Sequence, residues 1–212
     1  GPNINETRWN NVDYVTIDLN ERDRDEYYNG FANRALWPLF HHRPGLTEFA
    51  RRDMAGYYRV NQLFARTLAP MLRPDDLIWV HDYHLIPLAS ELRALSVKNR
   101  IGFFLHIPWP APELLTILPN HARLAANLAC YDLIGFQTKQ FLENYLHYMH
   151  DELDIEASAT GRLEAFGRTT QAGVFPISID TEEFIRFARE PKSSTCRRLE
   201  KSLEGRTLAL SV

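Results

Sequence analysis

The 212-residue sequence has only two cysteines, Cys130 and Cys196, too few for the disulfide framework that holds small secreted domains together. It lacks a run of about 18 apolar residues, so it predicts no membrane-spanning helix and no membrane partner. It also lacks a basic excess: 24 Lys and Arg stand against 27 Asp and Glu, which argues against a nucleic-acid partner. Since we find no signal peptide or lipidation motif, we expect a cytoplasmic protein.

Several catalytic signatures are missing as well. The sequence contains no G-x-G-x-x-G, no G-x-x-x-x-G-K-[ST] and no G-x-S-x-G, which removes the main sequence support for a dehydrogenase, a P-loop kinase or a serine hydrolase. What the sequence does contain is 45% apolar and 24% charged residues, the composition of an ordinary folded domain. Its length fits one large domain, or one domain and part of a second.

Apolar segments alternate with segments of helical periodicity along most of the chain. Strands are predicted at residues 12–19, 77–80, 101–105, 133–136, 173–177 and 207–212. Helices are predicted at residues 21–35, 56–72, 85–95, from 181 onward and 193–203, and one more begins after the N-cap Thr138. Residues 112–129 predict helical segments. Residues 155–170 predict short strands or a hairpin. This order indicates an α/β fold, a Rossmann-like parallel sheet with helices on both faces.

The end of the sequence indicates a second structural unit. A helix followed by an apolar strand at residues 193–212 has the order in which a new α/β lobe would begin. We therefore predict that residues 1–190 form one Rossmann-like lobe and that residues 191–212 begin another.

The strands that begin near residues 77, 101 and 133 all end in polar residues. His81 and Asp82 follow the first of these strands, His106 follows the second and Gln137 follows the third. Because ligands bind at the carboxyl ends of the strands in open parallel sheets, we expect these side chains to meet at one edge as a ligand site. A structural role for each histidine is the alternative.

The same segment has some of the groups that bind metals. His81, Asp82 and His84 offer the imidazole and carboxylate ligands that suit zinc or iron. Neighbouring side chains of an extended segment point to opposite sides, however, and no further acidic cluster lies nearby. We therefore predict neither a metal nor a cofactor.

Two aromatic segments are candidates for the wall of a pocket. Residues 107–112 are rich in proline and predict a rigid loop, the alternative being a plain connector with a buried tryptophan. Residues 36–42 predict a second loop, in which the proline breaks the preceding helix; Trp37 is then either a platform for a sugar ring or part of the core. Of the adjacent Tyr27 and Tyr28, we expect one to point inward and the other to offer its hydroxyl.

At four segments the sequence resembles the trehalose-6-phosphate synthases, retaining glycosyltransferases with two Rossmann-like lobes in the GT-B arrangement. The segments are Asp25–Asn29 leading into Leu36–Pro38, then Trp79–Leu85, Arg100–Pro108 and Tyr131–Thr138. The resemblance covers essentially the whole chain, and it implies that residues 1–190 belong to the acceptor-binding N-terminal lobe.

This resemblance implies transfer of glucose from UDP-glucose to glucose 6-phosphate, giving α,α-trehalose 6-phosphate in trehalose biosynthesis and osmoprotection. It implies that Tyr28 and Asp82 hold glucose 6-phosphate and that Trp37 shapes the acceptor pocket. It also implies that His106 lies against the donor glucose, with Ile107 beside the anomeric centre, and that the donor phosphate takes the acceptor proton without a metal. The candidate site residues are His106 and Asp82 as catalytic residues, with Tyr28, Trp37, Ile107 and Gln137 as substrate-binding residues.

The resemblance further implies that these residues are a fragment. The family's glycine-rich loop with its phosphate-binding arginine, and most of the lobe that grips the nucleotide, would lie outside them. We therefore expect the chain alone to be inactive, and the base of the donor nucleotide stays open. The alternatives are a related transferase with another acceptor, such as a glucosylglycerol-phosphate synthase or a pseudo-glycosyltransferase, and a non-catalytic sugar-phosphate sensor. A homo-oligomer is also open.

Overall fold

The computed structural model describes residues 3–190 and 192–207. The strands are β1 (Asn3–Trp9), β2 (Val12–Asp18), β3 (Leu77–His81), β4 (Arg100–Leu105), β5 (Leu133–Phe136), β6 (Arg162–Ala165) and β7 (Arg168–Val174). The α-helices are α1 (Glu21–Asp23), α2 (Trp37–Phe40), α3 (Arg51–Leu68), α4 (Leu88–Ala94), α5 (Pro112–Leu115), α6 (His121–Leu128), α7 (Lys139–Leu153), α8 (Thr181–Arg189) and α9 (Ser194–Ser202). The chain divides into two compact units, Gly1–Pro176 and Ile177–Val212.

The main sheet has five strands in the order β3-β4-β5-β7-β6. The first four run parallel, which confirms the predicted α/β fold, and β6 runs antiparallel to β7. The predicted strand at 173–177 is wrong in its bounds, because β7 begins at Arg168 and ends at Val174. Its first half pairs with β6, so the hairpin predicted within 155–170 and the last parallel strand share one continuous strand.

The strand predicted at 12–19 does not join this sheet. It forms β2, which pairs antiparallel with β1 as a separate two-stranded sheet. Asn10 and Asn11 connect the two strands, and both have positive φ, 48° and 61°. Positive φ at both central residues is what a two-residue hairpin turn of type I′ requires, and Asn adopts it more readily than most residues. This turn therefore directs the strand into a hairpin.

The segment between Glu21 and Phe40 is helical throughout, so the predicted break at Pro38 is wrong. A 13-residue π-helix (Arg24–Leu36) joins α1 to α2, and Pro38 lies within α2. Proline removes a hydrogen bond to the carbonyl group four residues earlier. That group, the Arg34 carbonyl, accepts instead from Glu48 N at 2.9 Å, so the helix continues without an unpaired acceptor.

The π-helix and α3 approach each other closely at two glycines. A Cβ atom at Gly56 would lie 2.3 Å from the Glu26 Cβ, and one at Gly30 would lie 2.6 Å from the Asp53 Cγ. Arg59 of α3 donates from Nη2 to the buried Glu26 carboxylate at 2.7 Å. A buried carboxylate requires such a partner, so the close contact and the ion pair support one another.

Most other helix boundaries shift by a few residues from their predicted positions. The helical segments predicted within 112–129 are confirmed as α5 and α6, which Asn120 (φ 60°) separates. The helix predicted at 85–95 is shorter, because α4 begins only after Pro87. The predicted cap is confirmed: Thr138 Oγ1 accepts from Phe141 N at 3.2 Å and begins α7.

The edge strand β3 is buried on one face only. Ile78 and Val80 lie in the core, whereas Leu77 and Trp79 are 77% and 70% exposed. The strand is apolar from Leu77 to Val80, yet one of its two faces is exposed in the part of the chain that the structure describes.

The unit that begins at Ile177 contains α8 and α9, which confirms two predicted helices. Asp180 and Ser193 cap them, each with a side-chain oxygen that accepts a main-chain N–H at 3.1 Å. The predicted strand at 207–212 lies outside the described residues apart from Thr207. The predicted boundary between residues 190 and 191 stays a prediction.

Candidate active site

The carboxyl ends of β3 and β4 bring three of the predicted polar residues together. The His81 Nδ1 and the His106 Nε2 are 2.9 Å apart, and the two rings stack at 5.2 Å. The main-chain N–H of His106 lies 3.4 Å from the Asp82 Oδ1, to which it donates. Parallel pairing of the strands explains this meeting, because it places their last residues at the same edge.

The contact between the two histidines fixes how their rings are used. Only one of the two facing nitrogen atoms can carry the shared proton, so at least one ring is neutral while the contact lasts. With Nε2 of His106 directed at His81, its Nδ1 is the ring nitrogen that remains for a ligand.

Asp82 has an unusual main-chain conformation. Its φ of 69° and ψ of 169° lie in a region that is essentially restricted to glycine and costs about 1–3 kcal/mol for other residues. Asp82 N still pairs with the Phe104 carbonyl at 2.8 Å, while its Oδ1 accepts from Tyr83 N at 3.0 Å. Both described bonds to the carboxylate reach Oδ1, so Oδ2 is the oxygen that can face a ligand.

Two aromatic side chains of the helical segment lie beside this loop. Tyr28 is 50% exposed and stacks on the His84 ring at 5.3 Å, whereas Tyr27 is buried. This confirms the prediction that one tyrosine of the pair points inward. Trp37 is 44% exposed and lies 5.7 Å from the Tyr83 ring. The core alternative for Trp37 is therefore wrong, and both exposed rings are accessible to a ligand.

Burial controls the protonation of His84 and Tyr83, the two residues that these exposed rings contact. It lowers the pKa of the His84 imidazole, and the Asp82 carboxylate opposes this only in part, so the ring is neutral near pH 7. Among the described residues, the buried His84 Nε2 has no hydrogen-bond partner. Burial, reinforced by the Asp82 carboxylate, raises the pKa of the Tyr83 phenol, which therefore stays protonated.

The remaining predicted residues are placed differently. Ile107 is buried in the core, so it can support the pocket but not offer a polar contact. Trp109 in the same loop is completely buried, which makes the connector alternative correct for this residue. Gln137 is half-buried and directly follows β5 at the same edge of the sheet as His106.

Asn33 is a site residue that the sequence did not predict. It is five residues after Tyr28 on the π-helix, and its side chain contacts both the Tyr28 carbonyl and the Tyr83 hydroxyl. Residues five positions apart lie on the same face of a helix with i→i+5 hydrogen bonds, but not of an ordinary α-helix. The relation between Tyr28 and Asn33 can therefore be recognised once the π-helix is known.

The described residues contain no group of three or more His, Cys, Asp or Glu that could hold a metal ion. The absence of a metal from the reaction stays a prediction. In the same ranges, none of the helices is long and apolar enough to cross a bilayer.

Residues 2–212 match the sequence profile of glycosyltransferase family 20. The chain belongs to glycosyltransferase family 20. The trehalose-6-phosphate synthase of Sinorhizobium fredii is 48% identical to it over 203 residues, and that of Escherichia coli is 42% identical over 195 residues. These alignments cover 95% and 92% of this chain but only 44% and 41% of the relatives, so the chain spans less than half of their length.

Solved structures of family 20 have the same fold. The α,α-trehalose-phosphate synthase (UDP-forming) of Burkholderia xenovorans, in complex with glucose-6-phosphate, is 45% identical and superposes with a TM-score of 0.90. An Escherichia coli structure bound with UDP-2-fluoro glucose is 40% identical and superposes with a TM-score of 0.87. They match 97% and 95% of this chain, which covers 47% and 45% of theirs. The resemblance identified from the four motifs is thereby confirmed.

Proposed function

We propose that the protein containing this family-20 chain transfers glucose from UDP-glucose to glucose 6-phosphate, forming UDP and α,α-trehalose 6-phosphate. One observation carries the proposal: a chain that is 45% identical over almost all of this sequence, with a TM-score of 0.90, holds glucose-6-phosphate. The E. coli structure bound with UDP-2-fluoro glucose supports the choice of donor. At these identities the likeness extends beyond the fold.

The edge of the sheet offers the groups that such an acceptor needs. The exposed oxygen of Asp82 can accept hydrogen bonds from sugar hydroxyls, and charged hydrogen bonds contribute about 1.5–3 kcal/mol each. The Tyr28 hydroxyl can form a further hydrogen bond, and the exposed face of Trp37 can pack against the C–H groups of the sugar ring. We assign these three residues to glucose 6-phosphate, with Gln137 as a further polar contact and Ile107 as support.

His106 is assigned to the donor glucose through its Nδ1, because its Nε2 is directed at His81. In a transfer with retention, the acceptor oxygen forms its bond to the anomeric carbon on the face from which UDP departs. The bond between that carbon and the phosphate oxygen breaks, and the acceptor proton passes to the departing phosphate. Asp82 and His106 then act by holding acceptor and donor in reacting geometry, which lowers the barrier without a covalent enzyme intermediate.

The domain assignment forms part of the same proposal. Every candidate residue lies in the unit Gly1–Pro176, which supports residues 1–190 as the acceptor-binding lobe and 191–212 as the beginning of the nucleotide-sugar lobe. Because transfer needs both lobes, the chain alone should be inactive. Both cysteines are free, which fits a reaction in the reducing cytoplasm.

The test is product analysis with the full-length protein. It is incubated with UDP-glucose and glucose 6-phosphate, and the product is identified by mass spectrometry and by the NMR couplings of its two anomeric protons. Parallel reactions replace the donor by GDP-glucose or ADP-glucose and the acceptor by glycerol 3-phosphate. A disaccharide phosphate with one glycosidic bond between two α-configured anomeric carbons is expected. Transfer only to another acceptor would favour the related transferases, and binding of glucose 6-phosphate without turnover would favour the sensor.

A further inference from the structure

Among the described residues, Asn33 connects the helical segment that carries Tyr28 to the loop that carries Asp82 by two side-chain hydrogen bonds. Its Nδ2 donates to the Tyr28 carbonyl at 2.8 Å, and its Oδ1 accepts from the Tyr83 hydroxyl, also at 2.8 Å. The side chain is half-buried on the π-helix, between the two elements.

The partners fix the orientation of the Asn33 amide. A main-chain carbonyl can only accept, so the Asn33 NH2 group must face Tyr28. The Tyr83 phenol is almost fully buried and stays protonated, so it donates to the amide oxygen. Each group of the amide therefore has a partner of the required kind, and no isosteric replacement provides both.

The link continues to the candidate acceptor carboxylate. Tyr83 N donates to the Asp82 Oδ1 at 3.0 Å, and the Tyr83 carbonyl accepts from the hydroxyl of the fully buried Tyr57. Tyr83 is thus held at its main chain and at its hydroxyl, so it has little freedom to move. A hydrogen-bonded path runs from the Tyr28 main chain through Asn33 and Tyr83 to Asp82.

We infer that Asn33 is a positioning residue for the acceptor sugar: it sets the separation between Tyr28 and Asp82 without touching the substrate. This inference rests on the proposed function, in which those two residues bind glucose 6-phosphate. Displacing reacting groups by about 1 Å can lower a rate by about 10²-fold, so a residue that fixes a separation has a measurable effect on binding and turnover.

The test compares variants of the full-length enzyme in steady-state kinetics. Asn33→Ala should raise the KM for glucose 6-phosphate by about 10-fold or more, while the KM for UDP-glucose stays within about two-fold. Asn33→Asp keeps the shape but turns an acceptor toward the Tyr28 carbonyl, so it should behave like the alanine variant. The matched control is Asn29→Ala on the same helix, an exposed residue whose removal should leave both KM values within about two-fold.

A double-mutant cycle shows whether the effect passes through Tyr83. Tyr83→Phe removes the hydroxyl donor alone, so it should raise the same KM. Because it acts on the same link, the Asn33→Ala/Tyr83→Phe variant should be no worse than Asn33→Ala. Equal effects on both substrates, wild-type kinetics of Asn33→Asp, or additive effects in the cycle would each overturn the inference.

Wild-type behaviour separates this inference from the proposed function. If the full-length protein binds glucose 6-phosphate without turning over, the dissociation constant measured by calorimetry replaces the KM, and the same order of variants is expected. In that case the proposed activity fails while the role of Asn33 is still decided. If the wild-type protein neither binds nor transfers to glucose 6-phosphate, both proposals are overturned.

Discussion

The main-chain conformation of Asp82 allows a comparison that separates strain from side-chain chemistry. Asp82→Gly and Asp82→Ala both remove the carboxylate and its bonds to Tyr83 N and His106 N. They differ in one respect: at φ 69° and ψ 169° the alanine retains the steric strain and the glycine relieves it. The difference in stability between these two variants therefore reports the strain at this position.

The expected difference follows from two opposing effects. A non-glycine residue in this region costs about 1–3 kcal/mol. Glycine in place of alanine ordinarily destabilises a protein by about 0.5–1 kcal/mol, because the unfolded chain gains freedom. Asp82→Gly should therefore be more stable than Asp82→Ala by about 0.5–2 kcal/mol. A domain of this size shifts its melting temperature by about 2–4 °C for each kcal/mol.

The assay is thermal and urea denaturation of the full-length variants, with transfer activity measured in parallel. Ala126→Gly in α6 is the control, because at a helical position glycine should be less stable than alanine by about 1 kcal/mol. Both Asp82 variants should lose activity, since neither has a carboxylate. If Asp82→Ala proves as stable as Asp82→Gly, or more so, the strain assigned to this residue does not exist.

Three further outcomes are expected of the full-length protein. Asp82→Asn should lower kcat/KM for glucose 6-phosphate by about 10²-fold, or about 2.7 kcal/mol, in steady-state kinetics; unchanged acceptor kinetics would mean that the carboxylate is structural. The pKa of His84 lies below its ordinary value of 6.5, so the unfolded state binds more protons and stability should fall as the pH drops below that value. His84→Gln should flatten this slope in urea denaturation and the exposed His147→Gln should not, whereas equal slopes would contradict the assignment. Gly56→Ala should lower the free energy of unfolding by about 1–3 kcal/mol through overpacking, while Gly45→Ala, with open space around it, should change it by less than about 0.5 kcal/mol; similar losses for both would refute the close contact.

The parallel sheet could be predicted because its signals are local. The strands near residues 77, 101 and 133 are short apolar runs between polar turns, and the helix after Thr138 begins with a capping side chain. Once these strands are parallel, the meeting of His81, Asp82 and His106 follows from topology alone.

The hairpin of β1 and β2 has its sequence signal in the turn residues and not in apolar periodicity. Two adjacent asparagines, Asn10 and Asn11, stand between Trp9 and Val12, and such a pair is typical of a two-residue hairpin turn. The segment before the turn is polar, so apolar periodicity does not mark it as a strand. Turn chemistry was the better guide here.

The π-helix could not be read from apolar spacing. Tyr27 and Phe31 are both buried, and their spacing of four residues also fits one face of an ordinary helix. What distinguishes the two forms is the hydrogen-bond register, which depends on contacts distant in sequence, such as those of Gly56 with Glu26. The role of Asn33 depends on that register, so the sequence did not predict it.

Three locally unfavourable features lie within contact of one another at the candidate site. Asp82 occupies a glycine region, the π-helix carries Tyr28, and the buried His84 Nε2 has no partner among the described residues. Each is costly by itself, and such conformations persist only where the surrounding structure holds them. The fully buried Tyr57 helps to fix this segment, because its hydroxyl donates to the carbonyl of Tyr83, which lies between Asp82 and His84. The concentration of these costs at one edge therefore supports a functional site on grounds independent of the family, and it means that stabilising substitutions there should lower activity.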